Sequence, residues 1–163
     1  MKIVYDTSGL GKQKTFNVMF RCMFNYAGSL YCVAYIPDYD DVAIAIQHLV
    51  EVEELEDYYH KVPKFDFNKW SKNRFGVFYG KLKKVELKIE KKYNHYFINR
   101  RWHSTQKMKY DKQGNMILQM RVPLVPDFIS WVMSWGEVIT VLKPDELKKE
   151  INYKIRNMLK NYE

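Results

Sequence analysis

The sequence predicts an α+β chain of two small domains, the first β-rich and the second mixed. The first 55 residues hold three or four strand patterns separated by tight turns, with no helical period. From Lys81 the order becomes β-α-β-β-α-β-α. The 163 residues are 47% hydrophobic and 16% aromatic, which is enough apolar material for two small cores and excludes bulk disorder.

Taken in order, Lys2–Asp6 is a short alternating strand and Thr7–Lys14 a polar turn with two glycines. Thr15–Phe24 is rich in β formers, and Tyr26-Ala27-Gly28 is a tight turn. Ser29–Ile36 is a near-continuous apolar strand. Pro37–Asp41 turns again, and Val42–Leu55 alternates. Short strands with short turns predict a small barrel or a strongly bent sheet over residues 1–60. The acidic run Glu51–Asp57 reads as the solvated end of a strand or a turn, because a calcium loop needs spaced oxygen ligands and a turn glycine.

Residues 61–80 read as a linker. Pro63 breaks any regular element, and Asp66 is placed to cap one short helix over Asp66–Lys72. Residues 81–163 form the second domain. Val85, Leu87 and Ile89 alternate with charges, as in a half-buried strand. Tyr93–Arg101 has helical spacing. Gln106–Tyr110 and Asn115–Val122 are strands joined by a turn at Asp111–Gly114. Asp127–Ser134 is a helix ending before Gly136, and Val138–Leu142 is an apolar strand. Pro144 suits the first helical position of a last helix, Pro144–Tyr162. Its apolar stripe is Leu147, Ile151, Ile155, Met158, Leu159 and Tyr162. This order is that of a ferredoxin-like βαββαβ unit with one added C-terminal helix.

The formal charge is +8, and it is unevenly placed. Residues 1–80 hold nine Lys or Arg and ten Asp or Glu, whereas residues 81–163 hold eighteen and nine. Attraction to a polyanion therefore belongs to the second half, unless those lysines only solvate the surface. No apolar run approaches the ~18 residues of a membrane span. The start lacks the basic-then-apolar order of a signal peptide. Two cysteines make no disulfide framework, so a reducing cytoplasm is expected.

Several words in the sequence are distinctive. They are RRWHSTQKM (Arg100–Met108), DKQGN (Asp111–Asn115) and ISWVMSWGEVITVLKPDELKKEI (Ile129–Ile151). In order and spacing they resemble the C-terminal extension (WCX) that follows WYL domains in bacterial transcriptional regulators. The first half is similar to the WYL domain itself, with Leu30-Tyr31-Cys32 at the naming triplet and Ile44–Leu49 at an apolar strand. The triplet lacks its Trp and Leu, His48 stands where the family has Arg, and Phe20 where it has Pro. The resemblance implies an Sm-like or SH3-like small β-barrel in front of the ferredoxin-like unit. It also implies a helix-turn-helix before the barrel, and no recognition-helix pattern fits this sequence, as for a chain cut from a longer regulator or for a short family member.

No catalytic set emerges. His48, His60, His95 and His103 show no metal spacing, and Ser8 and Ser104 lack a nucleophile-elbow context. Gly9-Leu10-Gly11-Lys12 has the wrong spacing for a phosphate loop. No cofactor or metal is expected. Counting from a turn centred on Ala27 puts Cys22 opposite Cys32, as two buried free thiols or as a redox-sensing pair.

Tyr5, Arg21, Tyr31 and His48 lie on neighbouring strands and are the candidate ligand face. An arginine with two phenols and an imidazole suits an anionic or nucleotide-like ligand; the alternative is that Tyr31 is core and Arg21 a surface charge. Arg100, Arg101, His103 and Lys107, with Lys109 and Lys112, surround Trp102 and are the candidate nucleic-acid contacts. Alternatively Trp102 packs a helix end and Gln106 satisfies the turn. Trp131 and Trp135 share one helix face, as core or as a dimer interface. The expected role is a non-enzymatic, ligand-sensing regulatory module. Its effector would be a nucleotide, oligonucleotide or other anion, and DNA would be met only through a domain absent from this chain. The expected assembly is a homodimer; the alternative role is a dimerisation or interaction module without a ligand.

Overall fold

The computed structural model describes residues 1–7, 9–56 and 64–163. Ser8, His60, Pro63 and the Asp57 end of the acidic run lie outside the described residues. The chain divides into two compact units, Met1–Trp70 and Ser71–Glu163.

The first unit contains β1 (Lys2–Asp6), β2 (Gln13–Asn17), β3 (Met19–Tyr26), β4 (Ser29–Ile36), β5 (Asp40–Ala45) and β6 (Leu49–Glu53). They form two antiparallel three-stranded sheets, β2-β1-β6 and β3-β4-β5. No strand pairing joins the two sheets among the described residues, so the expected barrel closure is not found there. Ile3 of one sheet, Cys32, Ala34, Ile36 and Ile44 of the other, and Val18 instead share one buried core. The expected single strand Thr15–Phe24 breaks at Val18, where the chain leaves one sheet for the other. Val18 is fully buried, and its N–H donates to the Met1 carbonyl at 2.8 Å. A 3-10 turn at Ile46–His48 makes the second passage between sheets, which is why the alternation from Val42 does not run through.

Strand β4 reads as a continuous apolar run because both of its faces are covered. Cys32, Ala34 and Ile36 face the core between the sheets. Tyr31, Val33 and Tyr35 face the other way, toward the short helix α1 (Phe67–Ser71) and the residues before it. Trp70 Nε1 donates to the Asp41 carbonyl at 2.8 Å, and the rings of Phe67 and Trp70 lie 6.0 and 5.8 Å from Phe24. Asp66 caps α1 as expected, accepting the N–H groups of Asn68 and Lys69 at 2.9 and 3.2 Å.

The second unit opens with the small hairpin β7 (Arg74–Phe75) and β8 (Phe78–Tyr79). It continues with β9 (Leu82–Ile89), β10 (Lys107–Tyr110), β11 (Met116–Pro123), α2 (Pro126–Ser134), β12 (Ile139–Lys143) and α3 (Asp145–Leu159). The four long strands pair antiparallel in the order β10-β11-β9-β12. Each crossover skips one strand, the interleaved order of a split βαβ arrangement. The first crossover is not the expected α-helix over Tyr93–Arg101 but a 3-10 turn at Lys91–Tyr96. Side chains hold it to the β10–β11 turn: Lys91 N–H donates to Asn115 Oδ1 at 3.1 Å, and Asn94 Nδ2 to the Gly114 carbonyl at 3.0 Å.

The register stacks Val85 opposite Met120, Leu87 opposite Leu118 and Ile89 opposite Met116. These residues, with Phe97, Phe128, Val132 and Leu147, form the core. Pro144 sits at the cap before α3 rather than inside its first turn. The apolar stripe of α3 is covered only at its start. Leu147 is buried and Ile151 packs against the core, while Ile155, Met158, Leu159 and Tyr162 are exposed. Among the described residues no helix is long and apolar enough to cross a membrane.

Candidate functional site

The four candidate ligand residues fall in two places within the first unit. Tyr5 and His48 come together, with rings stacked at 5.9 Å and 29°. Tyr5 is committed further, since its hydroxyl accepts the Ala45 N–H at 3.2 Å. His48 Nδ1 lies 3.1 Å from the Asp6 carbonyl oxygen. The β1–β2 turn crosses its ring so closely that a Cβ on Gly9 (φ 67°) would stand 3.3 Å from His48 Cε1. Tyr5 also lines an apolar cleft of about 160 Å³ with Ile3, Phe16, Tyr39 and Ile44.

Arg21 and Tyr31 lie on the α1 side of the β3-β4-β5 sheet. Tyr31 stacks on Phe24 at 5.6 Å and 20°. Arg21 is the extra residue of a bulge between Phe20 and Cys22, which aims its side chain along the Tyr35–Asp41 pair. Its Nε donates to Asp41 Oδ1 at 2.9 Å, and its guanidinium lies 5.2 Å from the Tyr35 ring and 5.8 Å from the Phe65 ring. The Arg21 side chain is only 8% exposed and that of Asp41 17%. Arg21 is therefore not a surface charge. Tyr31 belongs to an aromatic cluster with Phe24, Phe67 and Trp70 rather than to the Tyr5–His48 pair.

The cysteines do not oppose each other. The β3–β4 hairpin turns on two residues, Ala27 and Gly28, both with positive φ. That pairs Cys22 with Val33 and Cys32 with Met23, so the two thiols sit on opposite sheet faces. Both are free, and burial raises both pKa values above the ordinary thiol value.

In the second unit the candidate nucleic-acid contacts separate by burial. Arg100, Arg101 and Lys107 are exposed. The Arg100 guanidinium stands 5.9 Å from the Trp102 ring, and an Arg101 terminal nitrogen donates to the Ser104 carbonyl at 2.8 Å. His103 is 8% exposed, with Nδ1 2.8 Å from Thr105 Oγ1. Burial lowers its pKa; the backbone of Arg74 and Lys72 pulls the other way, though Nε2 makes no hydrogen bond among the described residues. His103 is thus held inside and not offered to a phosphate. Trp102 packs against the core 5.2 Å from Trp131 and 5.9 Å from Trp135, and Gln106 Oε1 accepts its backbone N–H at 2.9 Å.

The strand register reveals a basic surface that the sequence pattern alone did not assemble. On the sheet face away from the core, Lys84 lies opposite Arg121, and Lys107 opposite Gln119. Ile117 lies between Lys88 and Lys109, and Lys143 is opposite Glu86. Residues opposite one another share a face, so these cations surround Glu86, whose Oε1 accepts Gln119 Nε2 at 2.8 Å. The alternation in Lys84–Glu90 signalled which side of β9 is charged; only the pairing shows that β10, β11 and β12 add to it. Among the described residues no group of three or more His, Cys, Asp or Glu could hold a metal ion.

A comparison with curated proteins finds no match. Among solved structures, proteasome accessory factor B/C (PafBC) of Arthrobacter aurescens is similar at 13% identity and a TM-score of 0.36. The likeness covers 92% of this chain and 23% of that one, so this chain spans under a quarter of PafBC. The family model described as the WCX domain matches residues 82–159, from the first residue of β9 to the last of α3. Over that span, just under half of the chain, residues 82–159 match the WCX domain.

Proposed function

We propose that the chain is the ligand-sensing module of a bacterial transcriptional regulator, binding a nucleic-acid-derived or other anionic effector. The WCX match over residues 82–159 supports this reading, as does the resemblance of Leu30-Tyr31-Cys32 and Ile44–Leu49 to the WYL domain that such extensions follow. The basic sheet face around Lys84, Lys107 and Arg121 supports a polyanionic effector, and the buried Arg21 supports an anion site in the first unit. Exposed Lys and Arg release counterions from a phosphate backbone, so binding through them weakens as salt rises. Regulation requires that the effector bind two states of the protein unequally. The chain is proposed to act in the cytoplasm and to meet DNA through a domain outside these residues.

The test is a titration of short single-stranded oligonucleotides at two salt concentrations. Binding at low salt that weakens at high salt is expected. No binding at low salt rejects the nucleic-acid effector.

A second reading, dimerisation through the WCX domain, has its own observation. A groove of about 410 Å³ runs between β12 and α3, lined by Val132, Ile139, Ile151, Ile155 and Met158. Trp135 is a poor probe of that reading, since its ring packs 4.5 Å from buried Phe97. Met158→Lys, at an exposed position, is the better substitution, and light scattering reads the outcome.

A further inference from the structure

The α1 side of the β3-β4-β5 sheet carries a cation whose surroundings satisfy only part of it. Asp41 takes one N–H of Arg21, at Nε, and Met19 Sδ is a weak acceptor 3.7 Å from one terminal nitrogen. The other terminal nitrogen is buried with no hydrogen-bond partner among the described residues. A guanidinium offers donors in a fixed fork suited to two oxygens of one phosphate or carboxylate. A buried charged donor left unmatched is costly, and an anion entering the site would remove that cost.

What covers this face is aromatic. Phe65 lies over the guanidinium, and Phe67 and Trp70 lie edge-on to Phe24, which stacks on Tyr31. Aromatic rings on a floor of aromatic rings occupy the places that stacked bases would take. The cover is short, has Phe67 41% exposed, and is fastened at Trp70 Nε1 to the Asp41 carbonyl. Asp41 therefore holds both Arg21, by its carboxylate, and the cover, by its backbone.

We propose that Arg21, rather than His48, anchors the anion in the first unit, and that Phe65, Phe67 and Trp70 form a built-in occupant that a base-and-phosphate ligand displaces. This rests on the effector reading above and adds a competition to it: the ligand binds only as far as it outbids the chain's own aromatic segment.

The experiment uses the full chain and a fluorophore-labelled single-stranded tetranucleotide, read by anisotropy. In parallel, the Trp70 indole N–H is followed by NMR; its bond to Asp41 separates it from Trp102, Trp131 and Trp135, whose indole N–H groups have no partner. Trp70→Phe and Phe65→Ala loosen the cover and are expected to tighten binding about tenfold, within the usual range of coupling. Dispersed indole signals from Trp102, Trp131 and Trp135 report that each variant is folded, so a gain is read only on folded protein. Arg21→Met combined with Asp41→Asn removes the ion pair as a unit and is expected to weaken binding at least tenfold. Wild-type binding should also shift the Trp70 indole signal. If the wild type binds but neither loosened variant gains, or the paired variant binds as well as the wild type, the proposal is overturned while the effector reading stands. If the wild type does not bind at low salt, both fall.

Discussion

A single residue of register decides what Cys22 and Cys32 can do. Centred on Ala27 alone, the hairpin would oppose them; turning on Ala27 and Gly28, it puts them on opposite faces. Mild oxidation should therefore leave two free thiols by non-reducing mass measurement, and an intramolecular bond would contradict the pairing. Cys32 is 2% exposed, so Cys22 should be alkylated first, with both rates rising only at alkaline pH because burial raises both pKa values. His103 gives a second residue-level test. Burial depresses its pKa below 6.5, so between the folded and unfolded values the unfolded state binds more protons. Its stabilising contribution is present above pH 6.5 and is lost as pH falls through the folded value. The urea midpoint of the wild type should drop across that window more than that of His103→Gln; equal slopes would place the histidine in solvent. Residue identities were legible in the sequence, but their burial was not. Arg21 read as a surface charge or a ligand contact, and nothing in the local sequence announces the bulge that turns it against Asp41.

Elements were legible where one physical signal dominated. The strand Ser29–Ile36, the alternation through Val85, Leu87 and Ile89, the Asp66 cap and the Asp111 turn are all present. The misread elements are those where a tertiary contact overrides the pattern. Tyr93–Arg101 has helical spacing, but Asn94 and Asn115 hold a tighter turn. Thr15–Phe24 has strand composition, but the chain changes sheets at Val18. The stripe on α3 runs beyond what it covers, since stripes record amphipathicity and not the partner. Ala27 is a non-glycine residue at φ 49° in the first position of its two-residue turn. Asn is better tolerated there, so Ala27→Asn should raise the unfolding free energy by about 0.5–1 kcal/mol, measured by urea denaturation. A loss of stability would contradict the turn geometry.

At the scale of the whole chain, net charge becomes informative once it is placed. The first unit, with seven Lys or Arg against ten Asp or Glu over Met1–Trp70, buries Arg21 in an ion pair that leaves part of its guanidinium unmatched. The WCX domain spreads Lys84, Lys88, Lys107, Lys109, Arg121 and Lys143 over one open sheet face. That face predicts its own signature: Lys84→Gln with Arg121→Gln should weaken oligonucleotide binding and flatten its salt dependence by about 0.7 in log–log slope per lost phosphate contact. Unchanged affinity and slope would assign those residues to solvation alone. If the exposed end of α3 pairs with a second copy, Met158→Lys should convert dimer to monomer by light scattering; a monomeric wild type would reject the dimer. The central claim, an anionic nucleic-acid-derived effector, is tested most directly by anisotropy of a labelled single-stranded oligonucleotide with the wild-type chain at low and high salt. The account predicts saturable binding at low salt that weakens as salt rises. No binding at low salt would contradict it.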